Sequence, residues 1–182
     1  MKILDNIIPI NNSIIPNENK QQLLQFVDKI TENIQQPSFN YSGQNLAVSI
    51  ETRNSSTATE IRSFNDEDQI KIQFRNSPGN NEAIADQVAL IYLPQSTYKD
   101  SEKNPQIVST AYKKNTFFSN TMEKEKAEEQ WEVGSFIMSA SVKGQVIEGL
   151  TTPINMKFKV NETKHDLSKV KCVFWNTGEL II

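Results

Sequence analysis

The chain has 182 residues, a mass of 20.7 kDa, 37% hydrophobic residues and a formal net charge of −3. This length suits one domain with a sizeable core, and the apolar residues recur in periodic blocks, which argues against wholesale disorder. Basic and acidic residues are interspersed without a block of like charge, so the sequence lacks the electrostatic footprint of a nucleic-acid-binding protein and excludes nucleic acid as a partner.

Hydropathy along the chain gives no membrane segment. No stretch approaches the roughly eighteen consecutive apolar residues that a spanning helix needs, and no secretory h-region follows Lys2. As written, the sequence therefore predicts neither direct membrane insertion nor export by a leader of its own.

The first predicted element is an amphipathic helix over residues 17–34. Four apolar residues recur at spacings of four, three and four: Leu23, Val27, Ile30 and Ile34. This spacing lines one face of an α-helix, and Pro37 prevents its continuation. The predicted organisation is a helical segment at 1–36 followed by a β-sandwich at 37–182.

After Pro37 the apolar period changes from that of a helix to that of a strand. Apolar and polar residues alternate around 46–50 and 70–74, which predicts two half-buried strands. The run at 88–93 is continuously apolar and ends at Pro94, so it predicts a strand buried on both faces.

Turns and polar segments separate these strands. Residues 54–59 are rich in Ser and Thr, and residues 76–81 contain adjacent Pro and Gly, so both predict turns. Residues 95–105 predict a polar loop. Residues 122–130 are rich in Glu, Lys and Ala, which indicates either a short solvated helix or a mobile loop.

The last third of the chain has the most regular alternation. Strands are predicted at 107–112, 136–142 and 154–160, and a final apolar strand at 170–175. No internal repeat at a fixed period is found, which argues against a solenoid or propeller. The predicted fold class is mainly β: a twisted antiparallel β-sandwich with one N-terminal amphipathic helix.

Residue types that carry catalysis are scarce. A nucleophile needs a base within hydrogen-bond reach, and His165, in a polar loop at 161–169, is the only histidine. The glycine-rich nucleotide motifs and the serine-hydrolase elbow do not occur. The sequence therefore predicts a protein that is not an enzyme and that uses no cofactor.

Metal-ligating patterns are equally weak. Cys172 is the only cysteine, and its place in the predicted final strand indicates a buried free thiol without the partners of a zinc site. The adjacent acids Asp66, Glu67 and Asp68 lack the alternate-position ligands of an EF-hand, and such clusters in loops are usually solvated. No metal is expected.

Four Asn-x-Ser/Thr sequons are candidate N-glycosylation sites: Asn11, Asn40, Asn54 and Asn161. In a chain this rich in Asn, Ser and Thr, that number is close to chance. The sequons permit a secreted context without proving it.

Two C-terminal segments carry a family resemblance. Residues 153–160 are Pro-Ile-Asn-Met-Lys-Phe-Lys-Val, and after a polar loop residues 172–176 are Cys-Val-Phe-Trp-Asn. They resemble the entry to the GPCR proteolysis site (GPS) in the GAIN domain of adhesion G-protein-coupled receptors and polycystin-like proteins. Upstream segments at 23–34, 44–51 and 135–144 follow the family's order. The GPS-like residues, which the resemblance makes structural, are Cys172, Phe174 and Trp175.

The resemblance implies a twisted β-sandwich preceded by helices, in the ectodomain of a membrane receptor that cuts itself and keeps the two pieces associated. It also implies a protein partner or the receptor's transmembrane region as the partner. Residues 177–182 depart from the family because its second tryptophan, later cysteines and His-Leu-Ser/Thr cleavage triplet are absent. The expectation is an extracellular, non-cleaving, GAIN subdomain B-like domain, incomplete at its C-terminus, that acts in cell-surface recognition or receptor regulation.

Two other hypotheses stay open. One is a freestanding soluble β-sandwich that binds a ligand or protein, with the motif similarity a coincidence; a concave apolar pocket away from the C-terminal strand would favour it. The other is an autoprotease, although the cleavage triplet and a nucleophile–base pair are missing. A missing closing strand would leave a sheet edge uncovered, which also predicts self-association.

Overall fold

The computed structural model describes residues 1, 17–76, 86–98, 104–113, 133–160, 166–172, 174–176 and 179–181. Within these ranges one helix precedes a series of strands. In chain order the elements are α1 (Asn17–Asn33), β1 (Ser38–Ser42), β2 (Leu46–Thr52), β3 (Thr59–Asp66), β4 (Gln69–Asn76), β5 (Gln87–Leu93), β6 (Gln106–Tyr112), β7 (Ile137–Val142), β8 (Asn155–Phe158), β9 (Phe174–Asn176) and β10 (Glu179–Ile181). Short 3-10 turns occur at Gln95–Tyr98 and Leu167–Lys169.

Helix α1 forms where the helical apolar period occurs, and it ends one residue before the predicted limit. Its last turn is closed by polar side chains: the Thr31 hydroxyl donates to the Asp28 carbonyl at 2.7 Å, and the Asn33 amide donates to the Lys29 carbonyl at 2.7 Å. Val27 is buried, and Leu23 and Ile30 on the same face are partly buried. The amphipathic helix is confirmed.

The first sheet, called sheet A, has the antiparallel order β1-β2-β6-β7. One of its faces packs on α1, and the apolar residues of this contact include Val27, Leu46, Val48 and Tyr112. Its other face contributes to the main core through Ala47, Ile107 and Ala111. Helix α1 therefore forms an outer layer over sheet A.

The second sheet, called sheet B, has the antiparallel order β4-β3-β5-β8. Strand β4 packs across β1, β2 and β6, and the backbone N–H of Ile70 donates to the carbonyl of Gly43 at 2.7 Å. The inner face of sheet B adds these buried residues to the core: Ile61, Ile70, Ile72, Ala89, Ile91 and Leu93. The two sheets thus form the predicted antiparallel β-sandwich.

This layering explains a difference from the sequence prediction for β2. The alternation around 46–50 predicted a half-buried strand, but residues 46–50 are buried on both faces. The reason is that α1 covers one face of sheet A while sheet B covers the other, so the smaller residues between the large apolar ones are also shielded. Strand β4 shows the predicted half-buried alternation, and β5 is buried along most of its length as expected.

Strands β1 and β3 were not predicted. Strand β3 carries Glu60 and Arg62 among its apolar residues, so it has no clear apolar alternation. It forms a two-residue hairpin with β4 whose central residues, Glu67 and Asp68, have φ values of 49° and 81°. Positive φ at both positions matches a type I′ turn, whose twist suits the flanking strands.

Candidate functional site

The C-terminal motif is the part of the chain with the most specific resemblance, and the structure corrects its predicted form. Residues 170–175 do not form one continuous apolar strand. A 3-10 turn at Leu167–Lys169 precedes three described residues without regular structure, 170–172, and the strand begins only at Phe174. Val170 is 43% exposed, and Cys172 is exposed rather than buried.

The physical reason for this difference is pairing. Alternating apolar residues specify a strand only where a neighbouring strand supplies hydrogen-bond partners. In the described part of the chain, the ladder begins at Phe174, which lies opposite Ile181, while Trp175 lies opposite Leu180. Cys172 precedes this ladder. Its apolar neighbours in sequence are therefore not enough to place it inside a sheet.

Strands β9 and β10 form a two-stranded sheet of their own, called the C-terminal hairpin. Within the described residues, sheet A and sheet B each have four strands, and the hairpin strands belong to neither. Two of the three GPS-like residues, Phe174 and Trp175, lie on β9, and Cys172 lies just before it. The motif is therefore gathered at one short element outside the sandwich sheets.

The turn before the hairpin is held by Asp166. Its carboxylate accepts hydrogen bonds from the Ser168 hydroxyl at 2.7 Å and from the Ser168 backbone N–H at 3.0 Å. These bonds lower the pKa of the Asp166 carboxyl below its usual range. The Ser168 hydroxyl is thus engaged with a carboxylate acceptor, and His165 lies outside the described residues.

The acidic cluster occupies the β3–β4 turn. Asp66 pairs with Lys71 across the hairpin, while Glu67 and Asp68 are the two central turn residues. Among the residues that the structure describes, no group of three or more His, Cys, Asp or Glu side chains is arranged to hold a metal ion. The cluster is accounted for by its role in the turn.

Sequence analysis missed a buried ion pair on β3. Ile61 faces the core, so Glu60 and Arg62 lie on the opposite face of sheet B, where each is only 2% exposed. The Glu60 carboxylate accepts from Arg62 Nη2 at 2.7 Å and from Arg62 Nε at 2.9 Å. The sequence does contain a signal for this pair: an acidic and a basic residue two positions apart in a strand lie on the same face and can form an ion pair.

A polar cleft lies beside this ion pair, with a volume of about 670 Å³. It is formed where the loop after β2, the end of β5 and the loop before β8 meet. Tyr92, which lies opposite Glu60 in the β3–β5 register, forms part of its wall. Other lining residues are Ser55, Gln95, Ser96, Thr151 and Thr152. The described lining is mostly uncharged polar and aromatic side chains, together with Ala58 and Pro94, so this cleft is not the apolar pocket that would favour a freestanding binding module.

The four sequons divide into two groups. Asn40 lies exposed on β1, and its side-chain carbonyl accepts from the Ser49 hydroxyl at 2.5 Å. Asn54 lies exposed in the turn between β2 and β3. Asn11 and Asn161 lie outside the described residues, as does the Glu- and Lys-rich segment at 122–130.

These features define an antiparallel β-sandwich domain whose most specific motif lies at a C-terminal hairpin. The family described as GPS, GAIN subdomain B, matches residues 45–180, which is well over half of the chain. The chain belongs to this family. The resemblance predicted from the C-terminal motif is confirmed, and the hypothesis that the motif is a coincidence of strand patterning is wrong.

Two relatives place the family membership in context. The chain is 25% identical over 162 residues to mouse adhesion G-protein coupled receptor G2, covering 87% of this chain and 16% of the receptor. It superposes on the full extracellular region of zebrafish Gpr126/Adgrg6 with a TM-score of 0.73 and 16% identity, covering 97% of this chain and 23% of that one. The second likeness confirms the fold. The chain spans less than a quarter of either protein.

None of the helices within the described ranges combines the length and the apolar character needed to cross a membrane.

Proposed function

We propose that this chain is an extracellular GAIN-like domain of an adhesion-receptor-type protein, that it is not an enzyme, and that it acts in cell-surface recognition or receptor regulation. The observation that supports this most is the family match at residues 45–180, which extends into β10 and includes the hairpin. The relatives are adhesion receptors, one of them matched through its extracellular region.

A regulatory role is supported by the place of the C-terminal hairpin. The sandwich sheets share a continuous apolar core, whereas β9 and β10 pair with each other in a separate sheet. A two-stranded hairpin is only marginally stable by itself. An element of this kind can change its contacts without unfolding the sandwich, which is the property that a regulatory segment requires.

The regulatory role can be tested in a chimera in which residues 1–182 precede the transmembrane bundle of an adhesion receptor. Trp175→Ala, on the hairpin, is expected to change basal signalling. Phe26→Ala is the matched control because Phe26 is an aromatic residue that is 52% exposed on the helix, away from the sandwich core. Equal signalling by both variants at equal surface expression would contradict a regulatory role for the hairpin.

We also propose that this chain does not cleave itself. The resemblance ties cleavage to a His-Leu-Ser/Thr triplet, whereas in this sequence His165 is followed by Asp166 and no such triplet occurs. The purified chain, incubated at neutral pH and 37 °C, is expected to keep an intact mass of 20.7 kDa. Fragments that disappear in Ser168→Ala would show instead that this serine acts as a nucleophile.

The extracellular location needs its own test. Surface biotinylation of cells that express the natural protein, followed by detection with an antibody against this chain, is expected to recover it in the surface fraction. Recovery only from the interior of intact cells would overturn the proposed location.

The division into a helical segment at 1–36 and a sandwich at 37–182 stays a prediction.

Self-association is proposed through the sheet edges. Among the strands that the structure describes, β1 and β7 end sheet A, and β4 and β8 end sheet B. An edge strand offers unpaired backbone groups to another chain. Light scattering is expected to show an average mass that rises with concentration above 20.7 kDa, and a mass independent of concentration would argue against this proposal.

A further inference from the structure

Asn54 lies next in sequence to a residue of the polar cleft's wall. Asn54 is the first residue of the sequon Asn54-Ser55-Ser56, and its next neighbour, Ser55, lines the cleft. We propose that Asn54 carries an N-linked glycan whose first sugar residues pack into this cleft. The attachment, but not the geometry, rests on the proposed extracellular function, because glycans of this type are added along the secretory route.

The Asn54 side chain is exposed at the surface, and the turn that carries it is ordered by hydrogen bonds. The side-chain carbonyl of Asn54 accepts from the backbone N–H of Ser56 at 2.9 Å, and its main-chain carbonyl accepts from the N–H of Thr57 at 3.3 Å. This is an Asx-turn, in which the side chain orders the residues that follow. A glycan on Asn54 would therefore leave from a defined position at the edge of the cleft.

The cleft has the chemistry that a neutral sugar requires. Its wall includes hydroxyl and amide groups of Gln95, Thr151 and Thr152, and none of the lining residues that the structure describes is charged. These groups can donate and accept hydrogen bonds with the hydroxyls of a sugar residue.

Tyr92 adds an apolar surface. Its side chain is half-buried and lines the cleft, so part of its ring is available to the C–H face of a pyranose. The cleft volume of about 670 Å³ lies within the range of roughly 300 to 1,000 Å³ typical of small-molecule sites. In an N-acetylglucosamine residue, the C–H face can pack on the Tyr92 ring while the hydroxyl groups form hydrogen bonds with the polar wall.

Asn40 provides the contrast within the same chain. Its side chain is tied to Ser49 on the adjacent strand β2, and β1 packs towards β4 rather than towards the cleft. No lining residue of the cleft lies next to it in sequence. A glycan at Asn40 would have no comparable surface to occupy.

The sugar donor for attachment is a lipid-pyrophosphate-linked oligosaccharide. The Nδ2 atom of Asn54 forms a bond to the anomeric carbon of the first sugar. The bond between that carbon and the phosphate oxygen breaks, the lipid pyrophosphate leaves, and Nδ2 gives up one proton. No oxidant or reductant takes part.

The first experiment measures occupancy. The 182-residue chain is secreted from a eukaryotic cell line behind an added leader, and its intact mass is compared with and without a glycan-removing amidase. Ser56→Ala is expected to remove one glycan while keeping the Asx-turn, because the turn uses the backbone N–H of residue 56. A mass loss on amidase treatment that is the same in wild type and in Ser56→Ala would overturn the proposal. Failure of the natural protein to be labelled at the cell surface would overturn only the proposed extracellular location.

The second experiment measures packing. After trimming to the first sugar residue, the wild type is expected to melt about 2 to 4 °C above Ser56→Ala, a shift that corresponds to a modest contact in a domain of this size. Unglycosylated wild type and Ser56→Ala from bacteria serve as controls for the substitution itself. In a Tyr92→Ala background the difference due to the glycan should disappear. An occupied Asn54 with no shift, or a shift unaffected by Tyr92→Ala, would overturn the packing.

Discussion

Strands β2 and β8 share an alternating apolar pattern but have opposite environments. Strand β2 lies at the centre of sheet A, with α1 on one face and sheet B on the other, and its residues 46–50 are buried without interruption. Strand β8 lies at the edge of sheet B, where three of its four residues are exposed and Met156 is 55% exposed. Apolar alternation therefore identifies a strand, while the layer in which the strand lies decides how much of it is buried.

The same contrast separates the sandwich from the C-terminal hairpin. The sandwich has two clusters of buried apolar residues, one between the sheets and one beneath α1. The hairpin strands pair with each other, and the residues that lead into them are exposed. Substitutions inside the sandwich should therefore lower the free energy of unfolding, and substitutions at the exposed residues that lead into the hairpin should leave it nearly unchanged.

The largest effect is expected at the buried ion pair. Glu60→Ala leaves the guanidinium of Arg62 buried without its carboxylate and should lower the free energy of unfolding by about 3 to 5 kcal/mol. Urea denaturation monitored by tryptophan fluorescence would measure this loss.

The control for this prediction replaces both charges. The double variant Glu60→Leu and Arg62→Met keeps most of the side-chain volume and should lie within about 1 kcal/mol of the wild type, because no charge remains to be desolvated. Equal losses in the single and double variants would show that packing, and not the charge, explains the effect.

Trp175→Ala tests whether the hairpin is docked on the sandwich. The resemblance makes this tryptophan structural, so we expect its loss to cost about 3 to 5 kcal/mol, as for an aromatic residue docked in a core. Phe26→Ala, at an exposed aromatic of α1, is the matched control and should change stability by less than about 0.5 kcal/mol. A cost below about 1 kcal/mol for Trp175→Ala would mean that the hairpin is not docked in a core.

Leu46→Ala tests the helix-covered face of sheet A. Leu46 is fully buried and packs with Val27 and Tyr112, so its truncation should cost about 3 kcal/mol. Met156→Ala, on the edge strand β8, removes a side chain of similar size and should cost less than about 1 kcal/mol. Similar losses in the two variants, measured by denaturation, would contradict the difference between the central and the edge strand.

Features with a local cause were predictable from the sequence. The helix follows from a spacing of three and four that is complete within one segment, and the family follows from a motif of five consecutive residues at 172–176. The burial of β2 on both faces was not predictable, because it depends on which layers cover sheet A. The pairing of Glu60 with Arg62 and the cleft at Tyr92 likewise depend on strands brought together by the fold.

Cys172 gives the sharpest test of this distinction because the sequence and the structure disagree there. Its apolar neighbours predicted a buried thiol, whereas the structure places it exposed, before the first ladder pair of the hairpin. A thiol reagent such as Ellman's reagent should therefore modify it completely in the native protein, at a rate close to that in denaturant. Cys172→Ser should abolish labelling and change the free energy of unfolding by less than about 0.5 kcal/mol, as expected for a surface substitution. Labelling of the native protein that is slower by orders of magnitude and that accelerates on unfolding would instead support the sequence prediction of a buried Cys172. Only a packed core protects a thiol in that way.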